Sequence, residues 1–295
     1  MWYSLHLMQK ILKFILFLGV FSGLYFFCDS QTKGFRLQEI LSDIPNDPRW
    51  DVPAPQNAKE VTSRLNQTFK YLGSGKQCHA FLGEDGKTVL KLFRHNDLSF
   101  LKIVNHFPQA FHQWYWNRIE TRYDPVYCLE SSKIAYEKLQ NQTGIFFLHI
   151  NKTQDQFGPV ILKDNIGVSH QVNLDSTEFL VQEYCELAVS RIEDQMKSGN
   201  LSAAASSVKA IFQAIEEWSK LGVHIDNPAL RRNIGFSGDQ VIMLDAGSLT
   251  LAEENKEEAR IKKHIQKTMH GLGRWIRKKH PDLYPYFREQ LNEKS

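Results

Sequence analysis

Three residues of this chain have the types and spacing for phosphate chemistry: Asp226, Asn233 and Asp245. Asp226 and Asn233 lie in the stretch Gly222-Val223-His224-Ile225-Asp226-Asn227-Pro228-Ala229-Leu230-Arg231-Arg232-Asn233. Asp245 closes the apolar run Val241-Ile242-Met243-Leu244 and is followed by Ala246-Gly247. One carboxylate can orient or deprotonate an attacking hydroxyl. An amide oxygen and a second carboxylate can hold Mg²⁺ against nucleotide phosphates. Upstream, Gly73 and Gly75 fall in Tyr71-Leu72-Gly73-Ser74-Gly75-Lys76-Gln77-Cys78, where glycines let the backbone bend close over phosphates. Val89-Leu90-Lys91-Leu92-Phe93 then sets a lone lysine in an apolar strand. An ammonium buried without a partner is costly, so Lys91 asks for an anion.

In this order, the glycine turn, strand lysine, hinge-like strand, Asp/Asn loop and Asp-Ala-Gly resemble the protein-kinase-like superfamily, from about Phe69 to Arg277. The resemblance implies an α+β, bilobal protein-kinase-like fold: a small antiparallel sheet lobe plus a mainly helical lobe, which the apolar N-terminal segment would set behind a membrane helix. It implies ATP and Mg²⁺ as cofactors. Lys91 would pair the phosphates and Glu137 would orient Lys91, with Glu130 the second choice. Gly73 and Gly75 would cover the phosphates, and Glu183 and Cys185 would offer hinge backbone to an adenine edge. Asp226 would act on the acceptor hydroxyl, and Asn233 and Asp245 would ligate the metal. His224 would hold the catalytic loop.

The sequence departs from the family pattern in four places. Cys78 replaces the third glycine, and Asp245-Ala246-Gly247 lacks the aromatic residue. Asp226 and Asn233 are seven positions apart, against the usual five. Helix-like sequence resumes near Ala252 and no Ala-Pro-Glu follows, which leaves no room for a long activation segment. The reading is therefore an atypical, bacterial-style or small-molecule kinase relative moving the ATP γ-phosphate to a hydroxyl acceptor. A second reading is a membrane-tethered pseudokinase that binds nucleotide or protein. A third is an exported protein with accidental matches. The sequence does not identify the acceptor. Arg231 and Arg232 are candidates for charge near the transferred phosphate, or for surface pairing.

The elements that must position these residues can be traced along the chain. Strands are expected at 69–75, 78–83, 88–94, 145–150, 158–163 and 178–184, the last running into the hinge Gln182-Glu183-Tyr184. Helical spacing of Phe100, Ile103, Val104, Phe107, Phe111, Trp114, Tyr115 and Ile119 predicts an inserted helix over 97–122. Ser131 is expected to cap a helix over 132–140. Ala204, Val208, Ile211, Ile215, Trp218 and Leu221 predict one long amphipathic helix ending at Gly222. A hairpin over 233–245 would bring Asn233 and Asp245 to one end of adjacent strands. Over 253–279, Ile261, Ile265, Met269, Leu272 and Ile276 share a face opposite a basic one, either solvated or facing an acidic membrane surface.

Four regions result: a transmembrane anchor or signal-anchor at 1–28, a linker or lead-in at 29–65, an N-lobe with its insertion at 66–186 and a helical C-lobe at 187–295. Phe14 to Cys28 is apolar and uncharged, follows Lys10 and Lys13, and shows no small-x-small cleavage site. An uncleaved single-pass anchor and the apolar part of a signal peptide both fit it. Lysine and arginine flank it on both sides, so orientation stays open, with the cytosol favoured for an ATP-using domain. Pro45, Pro48, Pro53 and Pro55 mark the lead-in, where Trp50 is expected to dock. The net charge of +3 is too small to imply a nucleic-acid partner. Cys78 and Cys185 would border the nucleotide, which favours reduced thiols over a disulfide.

Overall fold

The structure is a computed structural model that describes residues 2–55, 57–95, 125–225, 229–247 and 249–293. Helix α1 (Trp2–Gln31) is exposed and contains, at Lys10–Gln31, the one described helix long and apolar enough to cross a membrane. A short helix α2 (Ala58–Leu65) precedes the sheet. Strands β1 (Thr68–Ser74), β2 (Cys78–Gly83) and β3 (Thr88–Phe93) form an antiparallel meander. Helices α3 (Pro125–Lys138) and α4 (Gln140–Thr143) follow, then β4 (Ile145–His149), β5 (Pro159–Lys163), β6 (Ser169–Asn173) and β7 (Phe179–Glu183). The fold is mixed α+β, with a seven-stranded sheet in the order β4-β7-β3-β2-β1-β5-β6. All pairs are antiparallel except β1 with β5.

The second half is richer in helix. It runs β8 (Glu186–Leu187), α5 (Ala188–Lys197), α6 (Leu201–Lys220), β9 (Val223–Ile225), α7 (Leu230–Asn233), β10 (Ile234–Ser237), β11 (Gln240–Met243) and β12 (Leu249–Leu251). Helices α8 (Glu258–Lys279) and α9 (Tyr284–Glu293) close it. Ala204, Val208, Ile211, Ile215 and Trp218 are buried on α6 as their period requires, whereas Leu221, past the last turn, is 45% exposed. Ile265, Met269, Leu272 and Ile276 bury the inner face of α8.

Each sheet face has its own core. Phe69, Phe81, Leu90, Leu92, Phe179 and Val181 pack with Phe35 and Ile40 from the lead-in. Phe93, Leu148 and Leu180 on the other face join Leu129, Ala135 and Tyr136 of α3 and the helices of the second half.

Two expectations need correction here. The 29–65 segment is not a loose linker. Phe35, Ile40 and Trp50 are buried, and polar bonds stitch it down throughout: Ser42 Oγ to Glu178 Oε1 at 2.6 Å, Asp47 N to Asn151 Oδ1 at 3.0 Å, and Lys133 Nζ to Arg49 O at 2.7 Å. Three large apolar side chains overcome the extended habit of its prolines. Ser131 is not a cap. It lies inside α3, fully buried, and its hydroxyl donates to Leu249 O at 2.8 Å. The expected inserted helix at 97–122 lies outside the described residues.

Candidate functional site

Hairpin β10–β11 pairs Ile234 with Met243, so the next positions out are Asn233 and Leu244, and Leu244 N donates to Asn233 O at 2.8 Å. That register puts Asn233 and Asp245 at one end of the ladder, where Asn233 Nδ2 donates to Asp245 Oδ2 at 3.3 Å. The other carboxylate oxygen of Asp245 accepts from Gly247 N at 3.2 Å.

Lys91, on the central strand β3, reaches this same corner. Its Nζ donates to Leu244 O. Burial lowers its pKa, and the Asp245 carboxylate is the chief opposing influence, with the thiols of Cys78, Cys185 and Cys128 around it. Its ammonium is thereby turned toward the end of the hairpin that carries Asn233 and Asp245.

The glycine turn lies across the corner. Gln77 Nε2 donates to Gly247 O at 2.7 Å, and a Cβ on Gly247 would stand 2.1 Å from Gln77 Oε1 and 2.8 Å from Cys128 Sγ. Only glycine allows that approach. Gly73 and Gly75 differ: a Cβ on Gly73 would meet nothing within 4 Å and one on Gly75 only Cys78 O at 4.0 Å. Neither position is demanded by packing within the chain, which leaves close approach to a ligand as a reason for both glycines.

At the hinge, β7 leads through Tyr184 and Cys185 into β8, which joins the β10–β11 sheet. Glu183 N is already spent on Gly144 O at 3.0 Å and Tyr184 N on Lys87 O at 2.7 Å, so the Glu183 amide is not free for an adenine. The Cys185 thiol is buried, which pushes its pKa up to about 11, with the Glu183 charge adding to the rise.

Glu137 is not brought to Lys91. Its carboxylate sits 3.7 Å from Lys133 Nζ on the outer face of α3, and Glu130 is exposed too. Helical spacing explains this, because Cys128, Ser131, Ser132 and Ala135 take the buried face, and Cys128 is the residue of α3 that stands near Lys91. Asp226, with Asn227 and Pro228, lies outside the described residues. The strand that leads to it, β9, pairs antiparallel with β12, so the chain returns to it directly after Asp245-Ala246-Gly247.

Two positioning residues escaped the sequence reading. His264, on α8 and buried, accepts from Ile225 N at 3.1 Å through Nε2, and its Nδ1 is 2.9 Å from Ser219 Oγ. Accepting at Nε2 puts the ring proton on Nδ1. His224 stacks on this ring with centroids 4.4 Å apart, so the two histidines stand together where β9 ends. Gln182, buried in β7, donates to Thr143 O and to Met243 O, tying β7 to the β10–β11 hairpin. A polar residue in an otherwise apolar strand was the available signal.

Among the described residues no three His, Cys, Asp or Glu side chains converge as a metal cluster. Asn233 and Asp245 instead offer two hard oxygen donors, the kind of partial set that Mg²⁺ completes with phosphate and water.

No protein-family model matches the chain, and no curated protein matches it. Among solved structures, the chain is similar to the bifunctional kinase-methyltransferase WbdD at 12% identity, in a medium-resolution structure (TM-score 0.30) and in a co-crystal with the kinase inhibitor LY294002 (TM-score 0.33). The matches cover 74% and 76% of this chain and 42% and 45% of those chains, so this chain spans less than half their length.

Proposed function

We propose that this chain is a membrane-anchored, atypical kinase-like phosphotransferase of bilobal kinase-like fold that moves the γ-phosphate of ATP to a hydroxyl acceptor. One observation carries the reading. Lys91, from the sheet, and the Asn233–Asp245 pair, from a hairpin in the other half, meet at one corner beneath a glycine turn. A cation donor, two oxygen ligands and a glycine-bearing backbone cover are what nucleotide phosphates require.

In this reading Lys91 binds the phosphates and Asn233 and Asp245 would hold Mg²⁺, which supplies charge neutralisation on the transferring group. Asp226 orients the acceptor hydroxyl and takes its proton as the new oxygen–phosphorus bond forms. The bond to the β–γ bridging oxygen breaks, and ADP leaves. In this reading Lys91 is held by Leu244 O and not by a helix carboxylate. α1 would anchor the domain to a membrane through its apolar span.

A second reading, nucleotide binding without turnover, draws on the displacement of Glu137 from Lys91. Mg²⁺-dependent ATP binding and turnover by the full chain separate the two. Asp245→Ala is expected to weaken binding strongly, and Asp226→Ala to keep binding while losing turnover. Unchanged binding in Asp245→Ala would sink both readings. Binding without any turnover by the wild type would leave the pseudokinase.

A further inference from the structure

The glycine turn is fastened from a second side, away from Gly247. Arg94, just past β3, holds it by two carbonyls: its backbone N donates to Gln77 O at 2.8 Å and its Nη1 to Gly75 O at 3.1 Å. The other guanidinium nitrogen, Nη2, lies 2.7 Å from Glu39 Oε2. That carboxylate oxygen is also 2.9 Å from Nε2 of His79, a fully buried residue, and the Glu39 carbonyl accepts from His95 N at 2.6 Å. Glu39 sits in a 3₁₀ turn (Leu37–Ile40) whose ends are pinned by the buried Phe35 and Ile40. Its carboxylate is therefore held by packing before it holds anything else.

We propose that Arg94 and Glu39 are positioning residues for the glycine turn, so that the segment following the apolar helix sets the cover of the phosphate site. The functional half of this proposal rests on the nucleotide reading above; the structural half does not. Only a planar guanidinium reaches a carboxylate on one side and a carbonyl on the other at the same time. The lead-in thus reaches the site through two side chains, Glu39 to Arg94 to the backbone of Gly75. Gln77 and Gly247 fasten the turn to the metal side, and Arg94 and Glu39 fasten it to the lead-in. A nucleotide under the turn would be gripped between the two.

The test uses the full chain in lipid nanodiscs, with hydrogen exchange followed by mass spectrometry, and steady-state kinetics where turnover is found. Arg94→Lys keeps a cation opposite Glu39 but loses the fork, so it should fold. Amides over 73–78 are expected to exchange about tenfold faster, as loss of a charge-assisted bond implies, while 88–93 and 179–183 stay unchanged. KM for ATP should rise severalfold with kcat nearly constant. Glu39→Gln should move both readouts the same way by less, and Glu39→Asp should restore part of the loss. Unchanged exchange at 73–78 would overturn the proposal. So would equal acceleration across the whole sheet, since that is a general loss of stability. If the wild type does not bind Mg·ATP and Arg94→Lys still loosens only the turn, the phosphotransferase reading falls and the positioning role stands.

Discussion

Asn233 meets Asp245 across 12 residues of chain, whereas Lys91 meets Leu244 across 153 and Gln77 meets Gly247 across 170. The proposed metal-side pair is made by one hairpin whose register alone fixes it. The proposed phosphate-side group is assembled from β3, the β1–β2 turn, α3 and a lead-in that begins near residue 35. The local half owes its shape to neighbouring residues and tolerates change elsewhere. The non-local half depends on every segment packed around it, so its geometry can be altered from far outside the site.

The largest expected effect tests that dependence. Trp50→Ala should cost about 3–5 kcal/mol by opening a cavity between the lead-in and the helical core, measured by urea unfolding. A loss below about 1 kcal/mol would mean the lead-in is dispensable to the phosphate-side half. Next, Asp245→Ala should weaken Mg·ATP binding roughly a hundredfold by calorimetry with little change in stability, because the hairpin closes without it. A collapse in stability would erase the contrast between the halves.

Gly247→Ala joins them. Its Cβ would displace the Gln77 amide, costing about 1–3 kcal/mol and freeing the turn; an unchanged melting temperature and exchange pattern would show that the turn does not need this contact.

Acid should strike the sheet half. Burial lowers the pKa of His79 and of His149 below the usual 6.5, so the unfolded chain takes up protons that the fold resists. Stability is therefore complete above about pH 6.5 and falls as pH drops through it, by up to about 1.4 kcal/mol per unit for each histidine. Equal unfolding midpoints at pH 7.5 and 5.5 would contradict this. The smallest effect belongs to Glu137→Gln, within about 0.5 kcal/mol and without change in nucleotide affinity, as a surface pair implies. A large affinity loss would restore Glu137 as the partner of Lys91.

What the sequence made legible follows the same division. Six strands, the α6 and α8 faces and the Asn233–Asp245 corner all arise from period and turn signals within a few residues. The pairing of β12 with β9 had no such signal; the sequence showed only that no long activation segment fits before Ala252. Glu137 failed as a partner because lysine and helix are distant in sequence, and a charged residue near the right place says nothing of which face it takes. His264 was invisible because it works by a backbone bond to a distant strand, and Gln182 signalled only that a polar residue stood in an apolar strand. Of the lead-in only the docking of Trp50 was legible, because prolines speak of local chain shape, while Phe35 and Ile40 find partners as distant as His170 and Phe179. Strand β6, Ser169-His170-Gln171-Val172-Asn173, has one buried apolar residue and no strand signature.

The lead-in also fixes an order of events during synthesis. Ser42 binds Glu178, and Ile40 packs with Phe179 and Val181, partners that leave the ribosome more than a hundred residues later. Until then Ile40 lacks its β7 partners, and the nascent chain carries incompletely covered apolar groups close behind an apolar helix. Closure of the sheet is thus a late, slow step that waits for β7, as contacts of high sequence separation require.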